Sequence, residues 1–333
     1  MKKSFLALAL MSAFSGAALA QSAVTVYGVV DMGLARDDNG AATKSTTTKL
    51  DSGLQSGSRL GFKGTEDLGN GLKANFVLEM GLKTDTGASD QSGLAFGRQA
   101  YVGLSSVDFG SINLGRQKSL TYVASESIDP FGVGLAGNMD RMFGTVTRFN
   151  NAATYTTNSL SGFVGAAQYS FGEQAGSTSK QGIVSLSGTY NAGPVLASLV
   201  YEKAKDVVVV GADVEKVLVG GSYDFNVAKA HAAYEQVKTS FAGSSVKANV
   251  WMIGATVPVG VGAFLADYTN RSIKDFNNTT SQQYAIGYTY SLSKRTNLYT
   301  SFSETKTDVN VAANAGANGA TDKLFNVGVR HAF

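Results

Sequence analysis

The chain of 333 residues contains no cysteine, three prolines, two histidines and a single tryptophan. Each scarcity removes a class of protein. Without cysteine, disulfides do not hold the chain together. No Cys cluster, His-x-x-His pair or phosphate-binding Gly-rich loop is present, so transition-metal and phosphate chemistry have no anchor. Of the two histidines a hydrolase could use as base, His231 falls mid-strand and His331 lies two residues from the end on the apolar parity, which suits an interfacial side chain better than catalysis. Nothing reaches the roughly eighteen consecutive apolar residues of a membrane-spanning helix, and the scarcity of proline leaves strands free to run unbroken.

What is present is glycine, 39 residues, with 14 Tyr and 18 Phe, a composition that suits strands and turns. The first twenty residues have the form of an export signal. Lys2 and Lys3 give a basic start, Phe5 to Met11 a short apolar core, and Ala18-Leu19-Ala20 a small-x-small cleavage site. Residues 21–333 are then one domain. Removing the two signal lysines leaves 28 − 2 = 26 basic side chains against 25 acidic ones, so nothing pulls the protein towards nucleic acid.

Period two dominates the rest. Leu72, Ala74, Phe76, Leu78, Met80 and Leu82 alternate without a break with Lys73, Asn75, Val77, Glu79, Gly81 and Lys83. That length exceeds the usual five or six residues of a globular strand and suits a tilted transmembrane one. In the opening strand Val24, Val26, Gly28, Val30 and Met32 share one parity, which turns Asp31 to the other face, as an acceptor within the wall. Arg98 falls on the apolar parity of Val102 and Leu104 unless the backbone resets at Gly97. Five such runs precede residue 119 and eleven follow residue 148, which makes sixteen, an even number as a closed outer-membrane barrel requires. Short turns such as 66–71, 106–110 and 191–194 take turns with longer polar connections such as 37–57, 84–93, 204–214 and 239–246. This alternation predicts an all-β, sixteen-stranded antiparallel transmembrane barrel. Tyr284, Ile286, Tyr288 and Tyr290 suggest an aromatic belt against outer-membrane lipid.

The rhythm lapses over residues 119–148. Phe131, Val133, Leu135, Met139, Met142 and Phe143 are too apolar for a solvated linker, so this stretch reads as a packed loop enclosed by the strands. It carries Glu126, Asp129 and Asp140 against Arg141, while the inner faces of the second and third strands carry Arg59, Lys63, Lys73 and Lys83 against Glu79. Like charges so crowded are costly in a dry core and tolerable in water, which points to a wet interior.

Four segments together carry a family likeness: Val24 to Asp31, Ser58 to Lys73 (SRLGFKGTEDLGNGLK), Arg98 to Leu104, and the terminal Arg330-His331-Ala332-Phe333. With them the chain resembles the general diffusion porins of Gram-negative outer membranes, and it looks nearest to the neisserial-type branch. The resemblance implies a homotrimer whose third external loop, here 119–148, folds inward as a constriction. It implies a wall set of Arg59, Arg98, Arg116 and Arg148 facing the loop acids Glu126 and Asp129, and Phe333 as a signal to the barrel-assembly machinery. The expected function is passive diffusion of small hydrophilic solutes and ions with mild anion preference, with no enzyme activity and no cofactor. A substrate-specific channel would show aromatic slides or a saturable site. A structural or adhesive barrel would have a plugged lumen. Asp37-Asp38-Asn39-Gly40 leaves calcium binding by an external loop open.

Overall fold

The computed structural model describes residues 23–38, 46–206, 211–273, 279–307 and 321–333. The expected export signal lies outside the described residues. Eighteen strands form one antiparallel sheet: β1 Ala23–Asp38, β2 Thr46–Ser52, β3 Arg59–Gly69, β4 Leu72–Lys83, β5 Ala88–Ser89, β6 Gln99–Ser106, β7 Gly110–Lys118, β8 Arg148–Thr156 and β9 Phe163–Ser170, then β10 Ile183–Ala192, β11 Val195–Lys205, β12 Asp213–Asp224, β13 Lys229–Phe241, β14 Ser244–Val259, β15 Gly262–Ile273, β16 Thr279–Ser291, β17 Thr296–Thr307 and β18 Thr321–Ala332.

Two of these are not separate staves of the barrel. β1 pairs Met32–Asp38 with β2 and Ala23–Val29 with β3, so β2 and β3 share one position end to end, and β5 is a two-residue hook on β4. The barrel therefore has 18 − 2 = 16 staves, and it closes where β18 pairs with β1. At that seam Gly28 and Phe333 exchange two backbone hydrogen bonds of 3.1 Å. The ring closes on itself at that seam and so has no terminal strand, which is what allows a sheet to stand in a bilayer, although among the described residues β2 is paired only on its β1 side.

Alternation sorts the side chains as the sequence pattern implies. On β1, Val24, Val26, Val30 and Leu34 face outward and are exposed, whereas Val29, Asp31 and Ala35 are buried. On β3 and β4, Leu60, Phe62, Leu72, Phe76 and Met80 take the outer parity, while Arg59 lies opposite Gly81 and Glu79 opposite Gly61 on the inner one. Outward aromatics gather at two heights. Phe163–Tyr190, Tyr223–Phe225 and Phe264–Tyr288 pair at 4.6 Å between centroids near the short-turn end, and Tyr169–Phe171, Trp251–Tyr268 and Tyr268–Tyr284 pair at 4.7 to 5.2 Å nearer the other. These are the two interfacial belts of a membrane barrel. The expected long connection at 239–246 is absent: β13 and β14 run on to Phe241 and Ser244 and meet in a two-residue turn at Ala242-Gly243. Polar composition there marks strands that stand clear of the lipid.

Candidate channel constriction

The segment between β7 and β8 is inside the barrel. Ser119 fixes its root, donating from its backbone to Thr147 and from Oγ to the Val146 carbonyl. Ser119 Oγ also accepts from the Tyr122 amide at 3.0 Å and caps helix α1, Leu120–Ile128. This helix was missed by reading for strand period. Its signal is present all the same, since Ser119 is followed by Leu120, Ala124 and Ile128 at spacings of four, one face of a helix. That face packs on inward Val200, Leu218, Ala233, Val250 and Met252, together with Met139, Met142 and Phe143 from around the short helix α2, Asp140–Phe143. In a barrel whose lumen is otherwise polar, this apolar seat is what holds the segment in place.

Beyond α1 the segment turns and crosses to the far wall. Asp129 makes the turn: its carboxylate accepts from the amides of Phe131 (3.0 Å), Val133 (2.8 Å) and Met139 (3.0 Å). Pro130 lies over Gly254, where a Cβ would stand 2.8 Å from its ring. Phe131 packs with Leu265, Ala285 and Tyr299. At the tip the Leu135 amide donates to the Leu54 carbonyl at 2.7 Å, and the Ala136 amide to Ser301 Oγ at 3.0 Å. Segment 53–58 is itself held down by Asp31, which accepts from the amides of Gln55 (2.8 Å) and Ser56 (2.6 Å) and from the Tyr299 hydroxyl (2.5 Å). On the return, Arg141 donates to Asp322 at 2.5 Å. The inserted segment thus lies along β10 to β17 and leaves the β1, β3, β4 and β6 side of the lumen open.

The cations stand on that open side. Arg98 is buried, and its Nε donates to Glu79 Oε1 at 2.7 Å, while Glu79 Oε2 accepts from the Tyr27 hydroxyl at 2.9 Å. The parity conflict at Arg98 disappears because β6 begins at Gln99; Arg98 belongs to the incoming bend, and its amide donates to the Glu79 carbonyl. Arg59 Nη2 donates to Ser56 Oγ at 2.6 Å, and Arg148 Nε is buried without an acceptor. Arg59, Arg98 and Arg148 lie near enough to repel one another in sequence, Arg98 being the shared neighbour. Arg116 sits in the register shift between Gly115 and Gln117, within charge reach of Arg148, and is tied to the Gly97 carbonyl (2.7 Å) and Asn150 Oδ1 (2.5 Å).

The two loop acids also part company. Glu126, on α1, reaches Lys118 with oxygens at 2.9 and 2.6 Å, and so stands on the pore side. Asp129 is buried, its oxygens spent on three amides within the loop, and no arginine pairs with it among the described residues. Burial raises the Asp129 carboxyl to about 6 in spite of those amides, and burial likewise raises Asp140 to about 7. Lys118 was passed over in the sequence, where it looked like a strand end. Among the described residues no three His, Asp or Glu side chains converge on a cation position; Asp37 and Asp38 end β1, and Asn39-Gly40 lie outside the described residues.

Comparison with known proteins decides the family. A model of Gram-negative porins matches residues 7–310. The chain belongs to the Gram-negative porin family. It is similar over its whole length to an outer membrane porin protein of Bordetella pertussis (32% identical, all of both chains) and to outer membrane porin protein 32 of Delftia acidovorans (36%, all of both chains). It is also similar to the major outer membrane protein P.IB of Neisseria lactamica (28%, all of both chains). Among solved structures, an anion-selective porin from Comamonas acidovorans superposes with a TM-score of 0.84 at 32% identity, covering 94% of this chain and 100% of that one. OmpT of Vibrio cholerae in its trimer form shares the fold alone, with a TM-score of 0.71 at 16% identity. The porin is therefore an outer-membrane passive-diffusion channel and not an enzyme.

Proposed function

We propose that this porin passes small hydrophilic solutes and ions with a preference for anions, and that residues 119–148 are its constriction. The observation that carries the preference is the balance of pairing at the open side of the lumen. Arg98 is matched by Glu79 and Lys118 by Glu126, while Arg59 and Arg148 have no carboxylate partner among the described residues. Unmatched fixed cations in a narrow aqueous gap raise the local anion concentration. The anion-selective description of the Comamonas porin agrees with this reading. In this reading Glu126 is the loop acid of the constriction and Asp129 the residue that shapes the loop.

A homotrimer is the assembly proposed, in line with the trimer form described for the Vibrio protein. The outward faces of β1, β3, β4, β6 and β7 support it. They carry Val24, Val26, Val30, Leu34, Leu60, Phe76, Val102, Leu104, Ile112 and Leu114 and no tyrosine or tryptophan, whereas the paired aromatics of both belts fall between β9 and β16. A belt that stops is expected where protein replaces lipid. Phe333 at the seam is proposed as the handle for the barrel-assembly machinery. Conductance of the purified protein in planar bilayers tests the reading: a stepwise, non-saturating current with a chloride-favouring reversal potential is expected, and a cation-favouring potential would refute the selectivity.

A further inference from the structure

The inner wall above and below α1 is mostly small and polar, as Thr154, Gln168, Ser185 and Ser198 illustrate. One patch departs from this. Ile183, Ala204 and Val214 stand in a single cross-strand row on β10, β11 and β12, all facing inward, and pack with Phe149 and Ala152. The next row towards α1 holds Ser185, Glu202 and Lys216. With Val146 and Arg148 on the returning leg of the inserted loop, Phe149, Ile183, Val214 and Lys216 line a recess of about 390 Å³ on the long-loop side of the proposed constriction.

Two cations line this recess, and neither has a carboxylate within ion-pairing distance among the described residues. Lys216 is only 8% exposed, and its Nζ donates to the Gly144 carbonyl at 3.2 Å. Arg148 Nε has no acceptor. The one acid in the lining, Glu202, accepts at Oε2 from the hydroxyls of Thr121 (2.9 Å) and Ser185 (3.3 Å), while Asp140 and Glu235 act on Lys216 from outside the lining and beyond ion-pair distance. A sheltered ammonium ion gains most from an anion that comes to it. An apolar wall beside it favours an anion that also has hydrocarbon to bury.

We propose that this recess is a binding subsite for small organic monocarboxylates with an apolar body. The carboxylate sits at Lys216 and Arg148, and the hydrocarbon lies against Phe149, Ile183 and Val214. The subsite would collect such solutes before they reach Arg59 and Arg98. It rests on the channel reading, which the chloride current measured before any carboxylate is added establishes separately.

The test adds hexanoate or acetate to the long-loop side of full-length protein in planar bilayers and reads the concentration that halves the chloride current. Hexanoate is expected to act at roughly a tenth of the acetate concentration or lower, since burying part of its chain is worth about one tenfold step. Val214→Thr, which keeps the side-chain shape, should bring the two acids together. Lys216→Gln should raise both half-blocking concentrations about tenfold, with Lys216→Arg restoring them. Equal action of the two acids on the wild-type channel, or a hexanoate advantage that survives Val214→Thr and Ile183→Thr, would overturn the proposal. Calorimetry of hexanoate with folded wild-type protein in detergent is independent of the variants, and an absence of saturable heat there would overturn it as well.

Discussion

Reversing the charge of Arg59 separates the proposed selectivity mechanism from a general effect of basic residues on the wall. An ion passing about 6 Å from the guanidinium interacts with it by about 0.7 kcal/mol in bulk water. Salt at 0.1 M, with a Debye length of about 10 Å, cuts this to about 0.4 kcal/mol. Arg59→Glu changes the wall by two charges, and the anion-to-cation permeability ratio feels the change twice, with opposite sign for the two ions. The sum is about 1.5 kcal/mol, or roughly a tenfold fall in the ratio. The measurement is the reversal potential in a potassium chloride gradient across a planar bilayer, repeated at higher salt, where the shift should shrink. Arg116→Glu supplies the internal control. Arg116 carries the same charge, yet its guanidinium is held by the Gly97 carbonyl and Asn150 at the register shift of β7. Its reversal should move the potential by less than a third as much. If Arg59→Glu leaves the ratio where it was, or Arg116→Glu moves it equally, the assignment of Arg59 to the constriction is wrong.

Three further outcomes follow from the inserted loop and the seam. Because burial raises Asp129 to about 6 and Asp140 to about 7, from an ordinary value of 3.8, the folded loop holds its protons more tightly than the unfolded chain. The contribution of these two groups to stability is then full below about pH 4 and is lost as pH climbs through 6 and 7, by on the order of 1–3 kcal/mol; the thermal midpoint of the barrel should be higher at pH 5 than at pH 8, and Asp140→Asn should reduce the difference. Gly134→Ala would set a Cβ 1.9 Å from the Gln55 carbonyl oxygen, so the loop tip must lift from segment 53–58. Current noise should rise and Glu-C cleavage at Glu126 should become faster. Gly28→Val would push a side chain into the Phe333 ring, where a Cβ already meets it at 2.4 Å; the heat-modifiable folded fraction in outer-membrane extracts should fall, and an unchanged fraction would remove the seam from the assembly argument.

The barrel was legible in the sequence because a strand wetted on one face records its geometry residue by residue. Leu72 to Lys83 declares a face at every second position, and lipid on one side with water on the other keeps that record clean. The proposed constriction was legible only in part. A cation on a strand inherits its direction from parity, so Arg59 could be placed, but parity is lost wherever a strand has not begun or is about to bulge. Arg98 precedes β6 by one residue, and Arg148 adjoins the shift in register between Gly115 and Gln117 that the positive φ of Asn151 accompanies. Arg116, which the resemblance grouped with the others, lies inside that same register shift, so its alternation with Ile112 and Leu114 gives it no direction. For Glu126 and Asp129 no local rule applies. Both are acids on one inserted segment, three residues apart, and what separates them is that Glu126 falls on the exposed face of α1 while Asp129 stops the helix and spends its carboxylate on the turn. A helix read as an irregular loop therefore cost more than a secondary-structure label. It removed the one periodicity that separates an acid on the face of a helix from one that ends it.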